Sequence, residues 1–372
     1  MTPTFKIPLY AKTVLIGLGI YIFVSIFNIG QNLLIPVVFG TLIAILLHPV
    51  VNFFVRLKIN RLLAIIITLL LSIVLIASFG IFMYSQFNNF SDSWPILVER
   101  ITSLFNDTIA WLPGYFDISA EKLNEWMQDT QTKLMDSSGT MIGSTLLSVG
   151  SVMATIFLVP VYVFLLLYYK PLLVEVIHKL FGADHSESVN RIITDIKSVV
   201  QQYLVGLFME TVIIAAMNVT ALLILGIQYA VLIGVVGALI NLIPYIGGLV
   251  AVTLPMMIAL VTKSSPWFAL VVLGVFYFIQ LVDNNLIVPR IVASKVKINA
   301  FMSIFIVLAG GALWGVAGMF LAIPVLAIVK VICDRVESLN PIGLLLGDTM
   351  PTIELFKIKK VKRKKTVKDV SN

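Results

Sequence analysis

Two stretches near the C-terminal end constrain this chain most, because each is longer than a membrane crossing and each is interrupted at its centre. Ala230 to Thr262 is 33 residues without a charged side chain, with Asn241, Pro244, Tyr245, Gly247 and Gly248 in its middle. Ile298 to Val329 is 32 such residues and contains Gly310, Gly311, Gly315, Gly318 and Pro324. As unbroken helices both would be rods of about 50 Å, at about 1.5 Å per residue, against a hydrocarbon core of about 30 Å. Proline removes a backbone donor and glycine admits positive φ, so each centre reads as a break. Each stretch is expected to fold as two half-helices about a tip. Broken backbone at membrane depth is tolerated where it lines protein or a watery cavity.

With 59% hydrophobic and 12% charged residues, the chain lies far from soluble domains, whose charged share is about 25%. The expected class is an all-α polytopic membrane protein. Charge-poor segments run near 13–30, 33–55, 62–84, 146–169, 203–226, 230–262, 266–288 and 300–333, eight in all. Lys6 and Lys12 precede the first, but no small-residue cleavage site follows, so it is expected to be a membrane helix. Cys333 is the lone cysteine, and His48, His178 and His185 form no i, i+4 pair. Protease motifs and phosphate-cradling loops are also missing from the sequence. No metal, no cofactor, no enzymatic chemistry and no ATP drive are therefore expected.

Charge location sets the expected topology. The segment 85–145 holds eight acidic and three basic residues, whereas Arg56, Lys58 and Arg61 are wholly basic, as is the run Lys357, Lys359, Lys360, Lys362, Arg363, Lys364, Lys365 and Lys368. Basic flanks stay in the cytoplasm, so both termini and the 56–61 loop are assigned inside and the acidic segment outside. If Ala230–Thr262 crossed fully, Arg290, Lys295 and Lys297 would fall outside. If both interrupted stretches are re-entrant hairpins, those three stay inside and Lys263 alone is misplaced.

The expectation is six full crossings plus two re-entrant hairpins, arranged as inverted copies of a helix-plus-hairpin unit, a plan found among secondary transporters. The expected segments are three helices over 1–84, an external amphipathic part over 85–145 and a fourth helix over 146–169. A cytoplasmic helical part over 170–200 follows, then the two helix-plus-hairpin units over 201–262 and 263–333, and a basic tail over 334–372. The external part repeats Trp94, Leu97, Ile101 and Leu104, then Leu123, Trp126, Thr130 and Leu134, at helical spacing. The tail reads as an anchor and anionic-lipid contact, with nucleic-acid binding not expected.

Ionisable groups within apolar segments cost about 2.5 to 3.5 kcal/mol on insertion scales, so they mark candidate function. Glu210 lies in the helix at 203–226, and Asp283 near the inner end of 266–288, followed by Asn284 and Asn285. A carboxylate there suits a cation or a proton, and the amides add neutral donors and acceptors. The plainer alternatives are an ion pair of Asp283 with Arg290, an interhelical hydrogen bond for Glu210, and close helix packing for the glycines.

Four motifs carry a resemblance: Tyr203-Leu-Val-Gly206; Asn241-Leu-Ile-Pro244-Tyr245-Ile-Gly247-Gly248; Asp283-Asn284-Asn285-Leu-Ile-Val-Pro289-Arg290-Ile-Val; and Gly315-Val-Ala-Gly318-Met-Phe-Leu-Ala-Ile-Pro324. In this order they resemble the autoinducer-2 exporter (AI-2E) family of bacterial inner-membrane proteins. The sequence departs from that pattern at Leu207, at Ala293 and at Ile298-Asn299-Ala300. The resemblance implies export of autoinducer-2 or another small polar solute, or Na⁺ or Li⁺ extrusion against H⁺. It also implies a homo-oligomer, pentamers included, and an elevator-like hairpin movement in the bilayer. With the resemblance, the leading expectation is a proton- or ion-coupled secondary transporter exporting a small polar solute, with Asp283, Asn284, Asn285 and the two tips near the site and Glu210 on the pathway. A non-transporting scaffold or sensor is the reading from another class.

Overall fold

The computed structural model describes residues 8–91, 99–100, 103, 157–182, 185–243, 247–263, 265, 267–293 and 296–348. Nearly all of the expected external segment, the tip residues Pro244 and Tyr245, Lys295 and the basic run 357–372 lie outside them. The described residues are helical almost throughout. Among the described residues, seven helices are long and apolar enough to cross a membrane: α1 (Leu9–Ile29), α2 (Gln31–Arg56), α3 (Arg61–Ser91), α4 (Phe157–Phe181), α5 (Ser186–Ile224), α8 with its continuation (Trp267–Val292) and α9 (Ala300–Arg335). Between α5 and α8 lie two shorter helices, α6 (Ala230–Ile240) and α7 (Gly247–Thr262). A last helix, α10 (Asn340–Leu346), follows α9.

The chain sorts into two packed groups. Ala44, Val51, Ala64, Ile65, Val163 and Leu167 form one core between α2, α3 and α4. The other group is built on α5, whose buried residues recur at three- and four-residue spacing from Val200 through Leu222, the signature of a helix packed along one face. α1 buries none of its residues, and many apolar side chains of α1, α3 and α8 are exposed. In water so much bare apolar surface would drive aggregation; against lipid it is the required outer surface.

α3 runs seven residues past the expected boundary at 84, to Ser91, the last residue before the charge of Asp92. Phe90 there meets Tyr229, just before α6, edge-to-face at 5.3 Å.

α6 and α7 form a hairpin. Gly237 comes close to Ala251 of the facing arm, and Gly234 lets α6 lie on Val219 of α5, where a Cβ would stand 2.7 Å from the valine side chain. The feet of this hairpin are adjacent: Gly226, before α6, neighbours the Lys263 ammonium, after α7.

α9 is also folded. Trp314 (φ −132°, ψ 20°) and Gly315 (φ 58°, ψ −140°) leave helical dihedrals, while Pro324 does not. Gly315 occupies a region that residues with a Cβ avoid. A Cβ on Gly310 would touch the Gly318 carbonyl and lie 3.3 Å from the Ala322 side chain. Twelve residues along a straight helix span about 18 Å. The segments before and after Gly315 therefore lie against each other as two arms.

The feet of this second hairpin gather at the other end of the molecule. Ile298 bridges to Gly347, and Arg335 pairs with Asp195 near the start of α5 at 2.5 Å. That end also carries Arg61 and Lys170, joined through the Arg61 bond to the Leu167 carbonyl.

Candidate functional site

α8 loses regular helical form where its polar residues begin. Asp283–Ile287 and Pro289–Ala293 are wider π-type turns. Two features of the sequence loosen the ladder there. Pro289 has no N–H to donate, and the Asn285 side-chain amide donates to the Leu281 carbonyl at 2.8 Å, competing with the backbone. Single π turns of this kind often mark functional sites, because they swing a side chain out of helical register.

Asp283 is 1% exposed although it is ionisable. One carboxylate oxygen, Oδ2, accepts a hydrogen bond from Asn241 Nδ2 at 3.0 Å. The other, Oδ1, is buried and has no hydrogen-bond partner among the described residues. Asn241 is the C-terminal cap of α6, so the tip of the first hairpin is fastened to α8 through this carboxylate. Across from it on α5, Glu210 is 7% exposed, and the two carboxylates interact electrostatically. Glu210 stands 14 residues from the end of α5 at Ile224, about 21 Å inside the helix.

The remaining sequence candidates distribute around this centre. Gly247 packs onto the backbone of Ile240 and Asn241, closing the tip. Gly248 faces the Gln280 carboxamide, where a Cβ would be 2.8 Å from Oε1. Gln280 in turn donates to Asn284 Oδ1 at 3.3 Å. Asn284, Asn285, Pro289 and Arg290 are exposed rather than turned into the centre with Asp283. Ile291 sits against Gly206 of α5, where a Cβ would come 2.6 Å from the Ile291 carbonyl oxygen.

Gly310, Gly311, Gly315 and Gly318 belong to the second hairpin, Gly311 against the Met319 side chain, and Pro324 is buried in its returning arm. The tips share a neighbour. Leu242 of the first and Trp314 of the second both pack against the apolar cluster of Tyr203, Leu204, Leu207, Val292 and Leu321.

Two side chains of this region, Gln280 and Asn218, were not singled out by sequence reasoning, and Tyr203 was noted only as part of a motif. Gln280 bridges Gly248 to Asn284. Asn218 is 2% exposed and donates to the Gly234 carbonyl at 3.3 Å. Tyr203 is buried on the same face. For Asn218 and Tyr203 the signal lies in spacing: 203, 210, 214 and 218 fall on one helical stripe. The stripe shows once the buried face of α5 is known.

Glu210, Asp283 and Asn241 together offer two carboxylates and an amide, a set suited to a hard monovalent cation, a proton or the hydroxyls of a polar solute. Among the described residues no three His, Cys, Asp or Glu side chains cluster as metal ligands.

The family model described as AI-2E family transporter matches residues 11–338. The AI-2 transport protein TqsA of Escherichia coli (strain K12) is 24% identical over 338 residues, 90% of this chain and 95% of its own length. The putative transport protein YueF of Bacillus subtilis (strain 168) is 23% identical over 259 residues, 63% of this chain and 69% of its own. A second Bacillus subtilis relative, the putative transport protein YrrI, is 27% identical over 137 residues, 37% of this chain and 38% of its own. With such relatives and seven helices of crossing length, the chain is a multi-pass membrane protein.

Proposed function

Because the chain belongs to the AI-2E family of transporters, we propose that it is a secondary transporter exporting a small polar solute across the bacterial inner membrane, with Glu210, Asn241 and Asp283 central to its path. The observation that carries this reading is Asp283, a buried carboxylate with one oxygen held by the tip of a hairpin and the other without a partner among the described residues. An ionisable group costs stability at such depth and serves a purpose there, as a counter-charge or a carrier of ions. Held by Asn241, it ties occupancy by a cation, proton or solute to the position of the tip. An autoinducer-2-like solute is the cargo we propose, on the printed name of the Escherichia coli relative.

In this reading both hairpins are re-entrant, from opposite sides of the bilayer, and related as inverted copies. The placement of their feet supports it: Gly226 beside Lys263 for one, and Asp195 with Arg335 for the other. In the same reading, which follows the tendency of basic flanks to stay inside, the second pair of feet and both termini face the cytoplasm. The π turns of α8 and the single hydrogen bond at the tip suit an elevator-like movement of the hairpin unit. The unburied flank of α1 is open to lipid and to a second copy, in keeping with a homo-oligomer such as a pentamer.

A second reading, Na⁺ or Li⁺ exchange against H⁺, is favoured by the electrostatic pairing of two buried carboxylates. The test is solute and proton flux in vesicles containing the purified protein under an imposed pH gradient, with and without Na⁺. Asp283→Asn should lower flux at least about tenfold, the scale of a lost charged hydrogen bond. Unchanged flux in that variant would remove Asp283 from the path. Proton movement that needs Na⁺ and no solute would favour the second reading, and no flux in the intact protein would favour a scaffold.

A further inference from the structure

A cavity of about 640 Å³ opens between the ends of α2 and α4 and the start of α3, and none of the Glu210, Asn241 and Asp283 group lines it. Its polar lining includes two cations, Arg61 and Lys170, with His48, His178, Asn52 and Glu175. Lys170 Nζ lies 2.5 Å from His48 Nε2, and Arg61 donates to the Leu167 carbonyl at 2.7 Å. Lys197 adds its charge to the same neighbourhood, acting on both His48 and Lys170. The carboxylate in the lining, Glu175, is exposed and already paired with Lys179 at 2.8 Å.

Hydrogen-bond logic shows that this cluster is arranged rather than accidental. An ammonium can only donate, so His48 accepts at Nε2 and carries its hydrogen on Nδ1. Asn52 Nδ2 stands 3.1 Å from Nδ1; with the hydrogen on Nδ1 the amide is assigned the flipped orientation, its carbonyl oxygen accepting, a choice set by the network. The chain Asn52, His48, Lys170 thus aims the ammonium into the cavity, with two of its three donors left over. Arg61 spends one of its five donors on Leu167 and keeps the others.

Lys170 and Arg61, both in the lining of one cavity with Lys197 nearby, repel one another and lose hydration, and a bound anion relieves both. The walls between them are apolar, from Val51, Val55 and Val174. They lie at the end of the bundle that carries Arg56, Lys58 and Arg61, where basic pockets between membrane helices take anionic headgroups. We propose that this cavity binds a phosphate-bearing anion, held by Lys170 and Arg61. Two sources share that chemistry: the headgroup of an anionic phospholipid, its chains along the apolar walls, and a soluble phosphate ester.

The test uses the purified full chain in detergent, with binding of phosphatidylglycerol, phosphatidylcholine and glycerol 3-phosphate followed by native mass spectrometry and thermal shift. Phosphatidylglycerol should be retained and stabilising, phosphatidylcholine not. Lys170→Gln and Arg61→Gln should each weaken retention about fivefold, the scale of one basic residue near an anionic surface. Arg191→Gln, at an exposed ion pair with Glu187 outside the cavity, should not. Val174→Asp leaves both cations and their bonds in place and should weaken retention as much, which keeps the test open if either cation variant misfolds. Glycerol 3-phosphate binding as tightly as the lipid, with the same dependence on these residues, would identify the soluble ester as the ligand. Retention that ignores Lys170, Arg61 and Val174, or falls equally with Arg191→Gln, overturns the proposal.

Discussion

The first hairpin ends in a polar side chain and the second in an indole. At the α6–α7 tip, Asn241 reaches across to α8 and holds the Asp283 carboxylate, while Gly248 lies on the Gln280 amide. At the α9 tip, Trp314 donates its indole N–H to the Phe27 carbonyl at 3.0 Å and stacks on the Phe27 ring. That carbonyl lies three residues before the junction of α1 and α2 at Gly30. The arms also differ. α6 is buried along most of its length in the α5 groove, whereas the first arm of α9 exposes Phe301, Phe305 and Leu308. One hairpin holds a titratable group through a single polar bond, and the other is clamped by aromatic and backbone contacts. In the transport reading proposed above, the difference amounts to a division of labour: the first hairpin would sense what occupies the site, and the second would serve as wall and anchor.

The largest expected effect separates the two tips. Asn241→Ala leaves a buried carboxylate with neither oxygen held by a described side chain, a loss of about 1.5 to 3 kcal/mol for a charged hydrogen bond. Transport in vesicles should fall about tenfold or more. Trp314→Phe removes one neutral hydrogen bond and keeps the ring, a loss of about 1 kcal/mol. It should lower thermal stability slightly and leave flux per folded molecule near wild type. If the tryptophan variant loses flux as strongly as the asparagine variant, the second tip is also part of the path and the contrast fails.

Much of this was legible before any coordinates. The length of the uncharged stretches and their glycines pointed to two folded segments, since no single helix of about 50 Å suits a bilayer of about 30 Å. Glu210 and Asp283 stood out because charge is scarce in apolar segments. What sequence did not reveal was partnership. Asp283 read as equally fit to pair with Arg290, seven residues along, and only the fold brings Asn241, 42 residues away, to its Oδ2. Asn284 and Asn285 are adjacent in sequence but exposed, because neighbouring residues on a helix point in different directions. Gln280 escaped notice because an uncharged amide in an apolar run gives no signal until Gly248 is seen against it. Asn299 looked like a departure from a family pattern, yet its side chain caps α9 by accepting from Met302 N at 2.8 Å.

A middle-sized effect probes the anchor itself. Gly315→Ala places a Cβ at φ 58°, ψ −140°, a conformation whose strain is about 1 to 3 kcal/mol. Open space around Gly315 means the cost is conformational rather than steric. The thermal midpoint should therefore fall, while flux per folded molecule is retained. Equal stability in the alanine variant would mean that the tip readily adopts another turn, which an anchor should not.

The smallest effect tests whether the foot of the second hairpin stays put. Asn299 caps the first turn of α9 and also ties it to α10, its Nδ2 donating to the Leu345 carbonyl at 2.7 Å and the Gly347 carbonyl at 2.9 Å. Asn299→Ala removes the cap and both ties, and a lost helix cap alone is worth about 1 kcal/mol. A modest fall in the thermal midpoint is expected, with transport unchanged, because α10 and the Asp195–Arg335 pair still hold the same end. Should flux change while stability does not, the ties at Asn299 are made and broken during the cycle. The second hairpin would then move with the first, and its aromatic clamp at Phe27 would be a hinge instead of an anchor.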